Sequence, residues 1–378
     1  MNYYAGIDVS LEWSSVCVVD GTGKIVGEGK VASEPEALIG WLRKLGLSPL
    51  SRIGLEAGPL SQWLYAAMRR AGLAVELLET RHVRTALKTM PVKTDRNDAR
   101  GIAQLMRLGW FRPVHCKSME AQETRALLTA RKLVQAKLHD VNMSLRGILR
   151  GFGLKVGPTT AAEFEARIRE LVHGHPSLQT IAQALLAVRT ALRRELDGLE
   201  RQVSAAARND IRARLLMSVP GVGVVVSLTY SSAIDDACRF KSSKNVGAYF
   251  GITPTRYQSG QTDVSGHISR IGDAGVRAAL YEAAHVILTK PVKGCTALKS
   301  WAMRIAARGG MKKAKVALAR KLAVIMHRML VDGTFFIDAA KGGLSGGAAD
   351  DGGSHDRAVG AATVKPRANA RRTAALGH

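Results

Sequence analysis

Short apolar runs of strand length open the chain at residues 3–10, 16–20 and 24–31, with Asp20-Gly-Thr-Gly23 as the turn between the second and third. They predict an antiparallel meander. Residues 36–45 then have helical periodicity, 52–56 form a short apolar strand, 62–70 a helix and 75–78 another strand. A meander followed by alternating helices and strands predicts a mixed α/β sheet. Beyond Lys93-Thr-Asp-Arg-Asn-Asp-Ala-Arg100, the residues Ile102, Leu105, Met106 and Leu108 recur at helical intervals, so a helix begins within that octapeptide.

From Ser118 the chain is almost free of Gly and Pro until Gly147. Leu127, Val134, Val141 and Ile148 recur every seven residues, with Leu138 and Leu145 in a partial second register and Arg131 interrupting the stripe. Gly153, Gly157, Pro158, Gly174 and Pro176 force a turn or crossover. A matching stripe follows at Ile181, Leu185, Val188, Leu192, Leu196, Leu199 and Val203. The two stripes predict a coiled-coil pair, closed within one chain or formed between chains as a dimerisation arm.

The last third is expected to be mostly helical. Leu215-Met-Ser-Val-Pro-Gly-Val-Gly223 places a Pro-Gly-x-Gly turn between two helical segments and resembles a helix-hairpin-helix, in which Gly221 and Gly223 would bring backbone N–H groups against a phosphate. Residues 240–254 read as a helix packing Val246, Tyr249 and Phe250 and ending near Gly251; 255–270 read as a polar loop; 274–289 and 297–330 read as helices, the second with a basic face. From Lys341 the composition collapses into Gly, Ala, Asp and Arg, which cannot bury a core, so a disordered tail is expected. The organisation predicted is a mixed-sheet domain over 1–117, a helical coiled-coil region over 118–205, a C-terminal domain over 206–340 and the tail, 341–378.

The formal net charge of +24 over 378 residues exceeds what solubility requires and points to a polyanionic partner, nucleic acid first. No terminal amphipathic basic helix stands out, so a membrane surface is not expected as a partner. Cys17, Cys116, Cys238 and Cys295 stand singly, with no C-x-x-C pair, which argues against a zinc site or a disulfide framework. The N-terminus has no charged and apolar leader pattern, and the expected location is the cytoplasm, with the nucleoid.

Asp95 and Asp98, three apart, share one helix face in a first turn where the helix dipole favours negative charge. A capped, solvated helix start would look the same. Asp8 and Glu56, however, each close a strand, and open α/β sheets gather ligands at the carboxyl ends of their strands. Four carboxylates around one cleft repel one another unless a divalent cation neutralises them, and oxygen ligands suit Mg²⁺ or Mn²⁺. The 255–270 loop carries Arg256, His267 and Arg270, which can bind phosphate, and several hydroxyls that can attack one. As a bare pattern Ser259-Gly260 is a turn.

Gly6-Ile-Asp-Val-Ser10, Leu55-Glu-Ala-Gly58 and Lys93-Thr-Asp-Arg-Asn-Asp-Ala99 resemble the three acidic motifs of the DEDD-type insertion-sequence transposases, a family that includes the pilin-gene invertases. Tyr257-Gln-Ser-Gly260 followed by Gly266-His-Ile-Ser-Arg-Ile-Gly-Asp273 resembles the signature of that family's C-terminal domain. The resemblance implies a ribonuclease H-like, RuvC-like N-terminal domain, with Asp8, Glu56, Asp95 and Asp98 as its metal-binding tetrad. It also implies Ser259 as the nucleophile that attacks DNA, donor and target DNA as substrates, a homo-oligomer (dimer or tetramer), and a structured guide RNA that leaves the protein to read shape and backbone. Tyr257, Ser265 and Ser269 compete with Ser259 for the nucleophile's role. Rival readings are a Holliday-junction-type endonuclease using the carboxylates alone, a sugar-kinase or actin-like ATPase, and a non-catalytic nucleic-acid scaffold.

Overall fold

The computed structural model describes residues 2–47, 50–88 and 92–338, and the chain divides after Ser118 into two compact units. The tail expected over 341–378 lies outside the described residues. In the first unit the order is β1 (Tyr3–Val9), β2 (Trp13–Asp20), β3 (Ile25–Ala32), α1 (Pro35–Lys44), β4 (Leu50–Glu56), α2 (Ser61–Arg70), β5 (Val75–Leu78), α3 (Thr80–Leu87) and α4 (Asp95–Leu108). The five strands form a mixed sheet ordered β3-β2-β1-β4-β5, antiparallel through the meander and parallel across β1, β4 and β5. This topology is consistent with a RuvC-like domain.

Alternation along the strands builds three layers. Ile7, Val16, Val18, Ile53 and Leu55 point to one face, where Leu38 and Leu42 of α1 and Leu64 and Met68 of α2 cover them. Helix α4 covers the other face through Ala99, Ile102, Ala103 and Met106. It lies unusually close, because Gly6 of β1 and Gly54 of β4 are register partners and neither has a side chain to hold it off. A Cβ on Gly6 would stand 2.3 Å from both Ala99 O and Ala103 N, and one on Gly54 would stand 2.7 Å from Met106 Cγ. Two residues further along each strand, on this same face, come Asp8 and Glu56.

Two elements in this unit differ from the sequence reading. Strand β2 starts at Trp13 rather than at residue 16, because its polar start is buried: Ser14 Oγ meets Ser33 Oγ at 2.8 Å, and Ser33 donates to Ser10 O. Helix α3, absent from the sequence reading, is only eight residues long; it buries Val83 fully and packs Ala86 and Leu87 partly on the same face.

The second unit contains α5 (Met119–Gly151), α6 (Phe164–Leu171), α7 (Pro176–Asn209), α8 (Ile211–Leu216), α9 (Val224–Ile234), α10 (Val246–Tyr249), β6 (Pro254–Ser259), β7 (Thr262–Ile268), α11 (Ala274–Thr289) and α12 (Thr296–Asp332). Helices α5 and α7 pair within the chain. Arg131, which interrupts the stripe, reaches across to Glu200 at 2.6 Å. The seven-residue stripe drifts as 3.6-residue turns accumulate, so near its end α5 buries Leu145 and Leu149 and leaves Ile148 exposed. Arg189 is buried where the pair meets α6: it donates to Asn142 Oδ1 (3.0 Å) and Ala161 O (2.8 Å) and lies 4.9 Å from the Phe164 ring.

Beyond the pair, Tyr230, Phe250, Leu280, Ile287, Leu318, Leu322 and Met326 fill one core. Three readings need correction here. The helix expected over 240–254 is a single α-turn, α10, after a 3₁₀ turn at Ser243–Asn245. The helix expected over 297–330 is broken at Gly310, whose φ of 82° and ψ of 160° are not helical. The polar loop expected over 255–270 is a β-hairpin, β6–β7, in this otherwise helical unit. Its strands carry no buried face, so the alternation that signals a strand is absent. Among the described residues no helix is long and apolar enough to cross a membrane.

Gly6→Ala should destabilise the protein by about 1–3 kcal/mol or more, the usual cost of overpacking, because the colliding atoms are backbone. Gly40→Ala, in open space on α1, should instead stabilise it by about 0.5–1 kcal/mol. Urea unfolding of the two variants beside the wild type measures both.

Candidate active site

Asp8 and Glu56 stand at adjacent strand ends, since β1 and β4 run parallel with Ile7 opposite Leu55. Asp95 and Asp98 open α4, whose N-cap is Thr94, its Oγ1 accepting the Asn97 N–H at 3.2 Å. Because α4 is seated on Gly6 through Ala99 and Ala103, the turn just before that contact brings its acids to the strand ends. Glu28 on β3 helps to hold the same turn. It accepts from Arg100 Nε at 2.9 Å and also pairs with Arg96. Neither the glycine seat nor Glu28 was picked out from sequence; a glycine two residues before each strand-end acid is the signal that could have found the seat.

Asp8 and Glu56 feel the acids around them. Asp8 is raised from its ordinary 3.8 to about 6, first by burial and then by the charges of Asp95 and Asp98, with Lys93 opposing. Burial likewise raises Glu56, with Asp8 and Asp98 adding to it and Lys93 again opposing. Among the described residues no three His, Cys, Asp or Glu side chains stand at metal-ligand spacing. The backbone thus brings the acids into electrostatic range while their oxygens remain apart. Half-buried Asp8 and Glu56, with Asp98 and the exposed Asp95 beside them and oxygen donors alone, fit a hard divalent cation, which would remove the repulsion.

In the second unit Ser259 ends β6 beside a two-residue turn, Gly260-Gln261, with Gly260 at a φ of 54° and Ser259 paired with Thr262. Arg256 forms a bidentate ion pair with Asp263 of β7, its Nε 2.7 Å from Oδ1. Arg256 is thus engaged within the hairpin while its side chain stays exposed. His267 and Arg270 are exposed, and Arg270 has a φ of 55°, unusual for a residue with a side chain. Gly221, at a φ of 84°, makes the turn between α8 and α9, and Gly223 is the exposed N-cap of α9.

Comparison with known proteins matches both units. A DEDD transposase model of the IS110 group matches residues 5–153, and a model described as the IS116/IS110/IS902 transposase family matches residues 213–296. The transposase for insertion sequence element IS1111A of Coxiella burnetii is 28% identical, over 86% of this chain and 88% of its own length. A probable family 20 transposase of Pseudomonas aeruginosa is 26% identical over 75% and 84%. The pilin gene-inverting protein of Moraxella bovis is 32% identical over 32% and 37%. The chain belongs to the DEDD-type insertion-sequence transposases.

It is accordingly an enzyme that cuts and rejoins DNA, and a DEDD domain of this kind depends on a divalent metal. The first matched range contains Asp8, Glu56, Asp95 and Asp98; the second contains Gly221, Gly223, Arg256, Ser259, His267 and Arg270.

The raised Asp8 carries a sign for the metal-free transposase. Between about 4 and 6 the folded form binds the proton more tightly than the unfolded form, so stability is lost as pH rises through that window. Asp8→Asn should therefore melt higher than wild type in EDTA at pH 7.5, by on the order of 1–2 kcal/mol after discounting for partial exposure. The advantage should vanish below pH of about 4. Thermal melts at the two pH values test this, and added Mg²⁺ should raise the melting point of wild type more than that of Asp8→Asn.

Proposed function

We propose that this transposase recombines DNA through a covalent phosphoserine link formed by Ser259, with Asp8, Glu56, Asp95 and Asp98 holding Mg²⁺ or Mn²⁺. The observation that carries the metal assignment is the gathering of four acids at one sheet edge, where Asp8 and Glu56, raised first by burial, are raised further by the charges of their acidic neighbours. A bound divalent ion would supply Lewis-acid polarisation of a phosphate oxygen and lower the pKa of an attacking hydroxyl.

The chain's own residues do the rest. Ser259, exposed at the hairpin turn, presents its Oγ to the scissile phosphate. A P–O bond forms to Oγ as the bond from phosphorus to the leaving sugar oxygen breaks. The serine proton passes to a base, and the sugar oxygen takes up a proton. Rejoining is the reverse attack, by a sugar hydroxyl of the second DNA. No net hydrolysis is needed. The free hydroxyl is a weak nucleophile, so the reaction needs the carboxylate cluster as well as the serine. Supporting contacts come from the α8–α9 turn, read as a helix-hairpin-helix with Gly223 at a helix N-terminus, and from His267 and Arg270. A structured RNA chooses the sites by base pairing, and two or four copies of the chain hold the two DNA segments.

Stalled reactions should contain a DNA–protein adduct, stable to denaturant, that mass spectrometry maps to the peptide carrying Ser259. Ser259→Ala should lack it. Undiminished joining by Ser259→Ala, or nicking without joining, would instead support an endonuclease using the carboxylates alone. Alanine at any of the four acids, or EDTA, should abolish joining while leaving nucleic-acid binding largely intact. Binding to duplex DNA should weaken with salt, at a log–log slope near −0.9 per phosphate contacted, as measured by titration at several salt concentrations.

A further inference from the structure

Every residue of β6 is exposed, and so is β7 as far as His267. Strand alternation sorts the hairpin's side chains by face. Tyr257 pairs with Val264 and Ser259 with Thr262, so these four share one face, while Arg256, Gln258, Asp263 and Ser265 take the other. The second face is internally satisfied by the Arg256–Asp263 ion pair. The serine's face is not. The Tyr257 side chain is 68% exposed and Val264 directly opposite is 56% exposed, an aromatic and a branched aliphatic held together in water. Nothing in the core needs either of them there.

We propose that Tyr257, backed by Val264, is a stacking platform for a DNA base next to the phosphate that Ser259 attacks. This rests on the assignment of Ser259 as nucleophile. Tyr257 and Ser259 are two residues apart on one face, about 7 Å along the strand at ~3.4 Å per residue. That span is roughly two stacked nucleotides at ~3.4 Å each. An aromatic ring stacks on any base, so such a platform holds an unpaired strand without choosing its sequence. Strands exchanged between two DNA segments are unpaired beside the break, where a platform would keep the phosphate in line with Oγ. DNA is the occupant favoured by charge: the chain carries +24, the hairpin has exposed His267 with exposed Arg270 at its base, and its exposed carboxylate, Asp263, lies on the face opposite Tyr257 and is paired. A second copy of the chain is a poorer occupant, because stable interfaces bury about 800 Å² per partner and this patch is two side chains.

The test uses the full chain in the complete recombination reaction, with the element's own DNA ends carrying 2-aminopurine at each nucleotide flanking the cleavage point. Tyr257→Phe keeps the ring and should join DNA near the wild-type rate. Tyr257→Ala should slow adduct formation by ~5–150-fold, the range for losing one base stack. Because both side chains are exposed, Tyr257→Ala should melt with the wild type. Fluorescence of one 2-aminopurine position should be quenched on binding by wild type, Tyr257→Phe and Ser259→Ala, and not by Tyr257→Ala. The platform is overturned if Tyr257→Phe is as inactive as Tyr257→Ala, which would assign the hydroxyl rather than the ring. It is equally overturned if Tyr257→Ala joins normally, or if that change reduces oligomeric size in sedimentation, which would give the patch to a second copy. Undiminished joining by Ser259→Ala overturns the nucleophile assignment on its own, with the quenching arm still deciding the platform.

Discussion

The approach of α4 to Gly6 and Gly54 is the contact on which the first unit depends. A helix normally rests on a sheet through side chains, at a distance that leaves its first turn well above the strand ends. Here the helix backbone itself meets the strand, with Ala99 O and Ala103 N where a Cβ of Gly6 would be. That seating fixes the height of α4 and its position along β1, and so where Asp95 and Asp98 fall relative to Asp8 and Glu56. The glycine register, Gly6 opposite Gly54, becomes the acid register two residues later.

The seating has an electrostatic cost, which the surrounding residues partly offset. Burial at the sheet edge, and then the charges of Asp95 and Asp98, raise the proton affinity of Asp8 until it reaches about 6. Lys93, just ahead of α4, opposes the rise at both Asp8 and Glu56. Arg96 and Arg100 are turned instead toward Glu28 on β3, where they tie the helix to the meander. Positive charge around the acids is thus divided between lowering their repulsion and anchoring the element that carries two of them.

The second unit is built to hold one small element out into solvent. Its core of Tyr230, Phe250 and the apolar faces of α11 and α12 is continuous and well filled. The hairpin contributes almost nothing to that core. It is tied down at its base, where Ser269 N–H donates to Thr253 O at 2.9 Å and Arg270 N–H to Gly251 O at 3.1 Å. Asp273 then caps α11 and binds Arg125 of α5 at 2.6 Å, linking the hairpin's exit to the long helical pair. A segment that buries no apolar area yet is anchored on both sides is costly to order for stability alone, as expected of a part kept for binding or chemistry.

The amino-acid sequence by itself determined the mixed sheet, the placement of Asp8 and Glu56 at strand ends and of Asp95 and Asp98 in a helical first turn. Those features follow from local periodicity and from the one-face spacing of a helix, which neighbouring residues express directly. It also determined two long helical stripes and a basic chain. The tertiary structure decided the rest. Periodicity does not record which strand lies beside which, so the alignment of Gly6 with Gly54 was out of reach, and with it the reason the four acids stand within electrostatic range. It did not record that α5 and α7 close on each other within the chain, since an apolar stripe accepts a partner of either origin. Ser14 reads as polar and is buried because Ser33, brought to it across the sheet edge, satisfies its hydroxyl. The hairpin around Ser259 left no pattern because strands exposed on both faces have no reason to alternate, and cross-strand partners such as Arg256 and Asp263 are defined only once the chain has folded back.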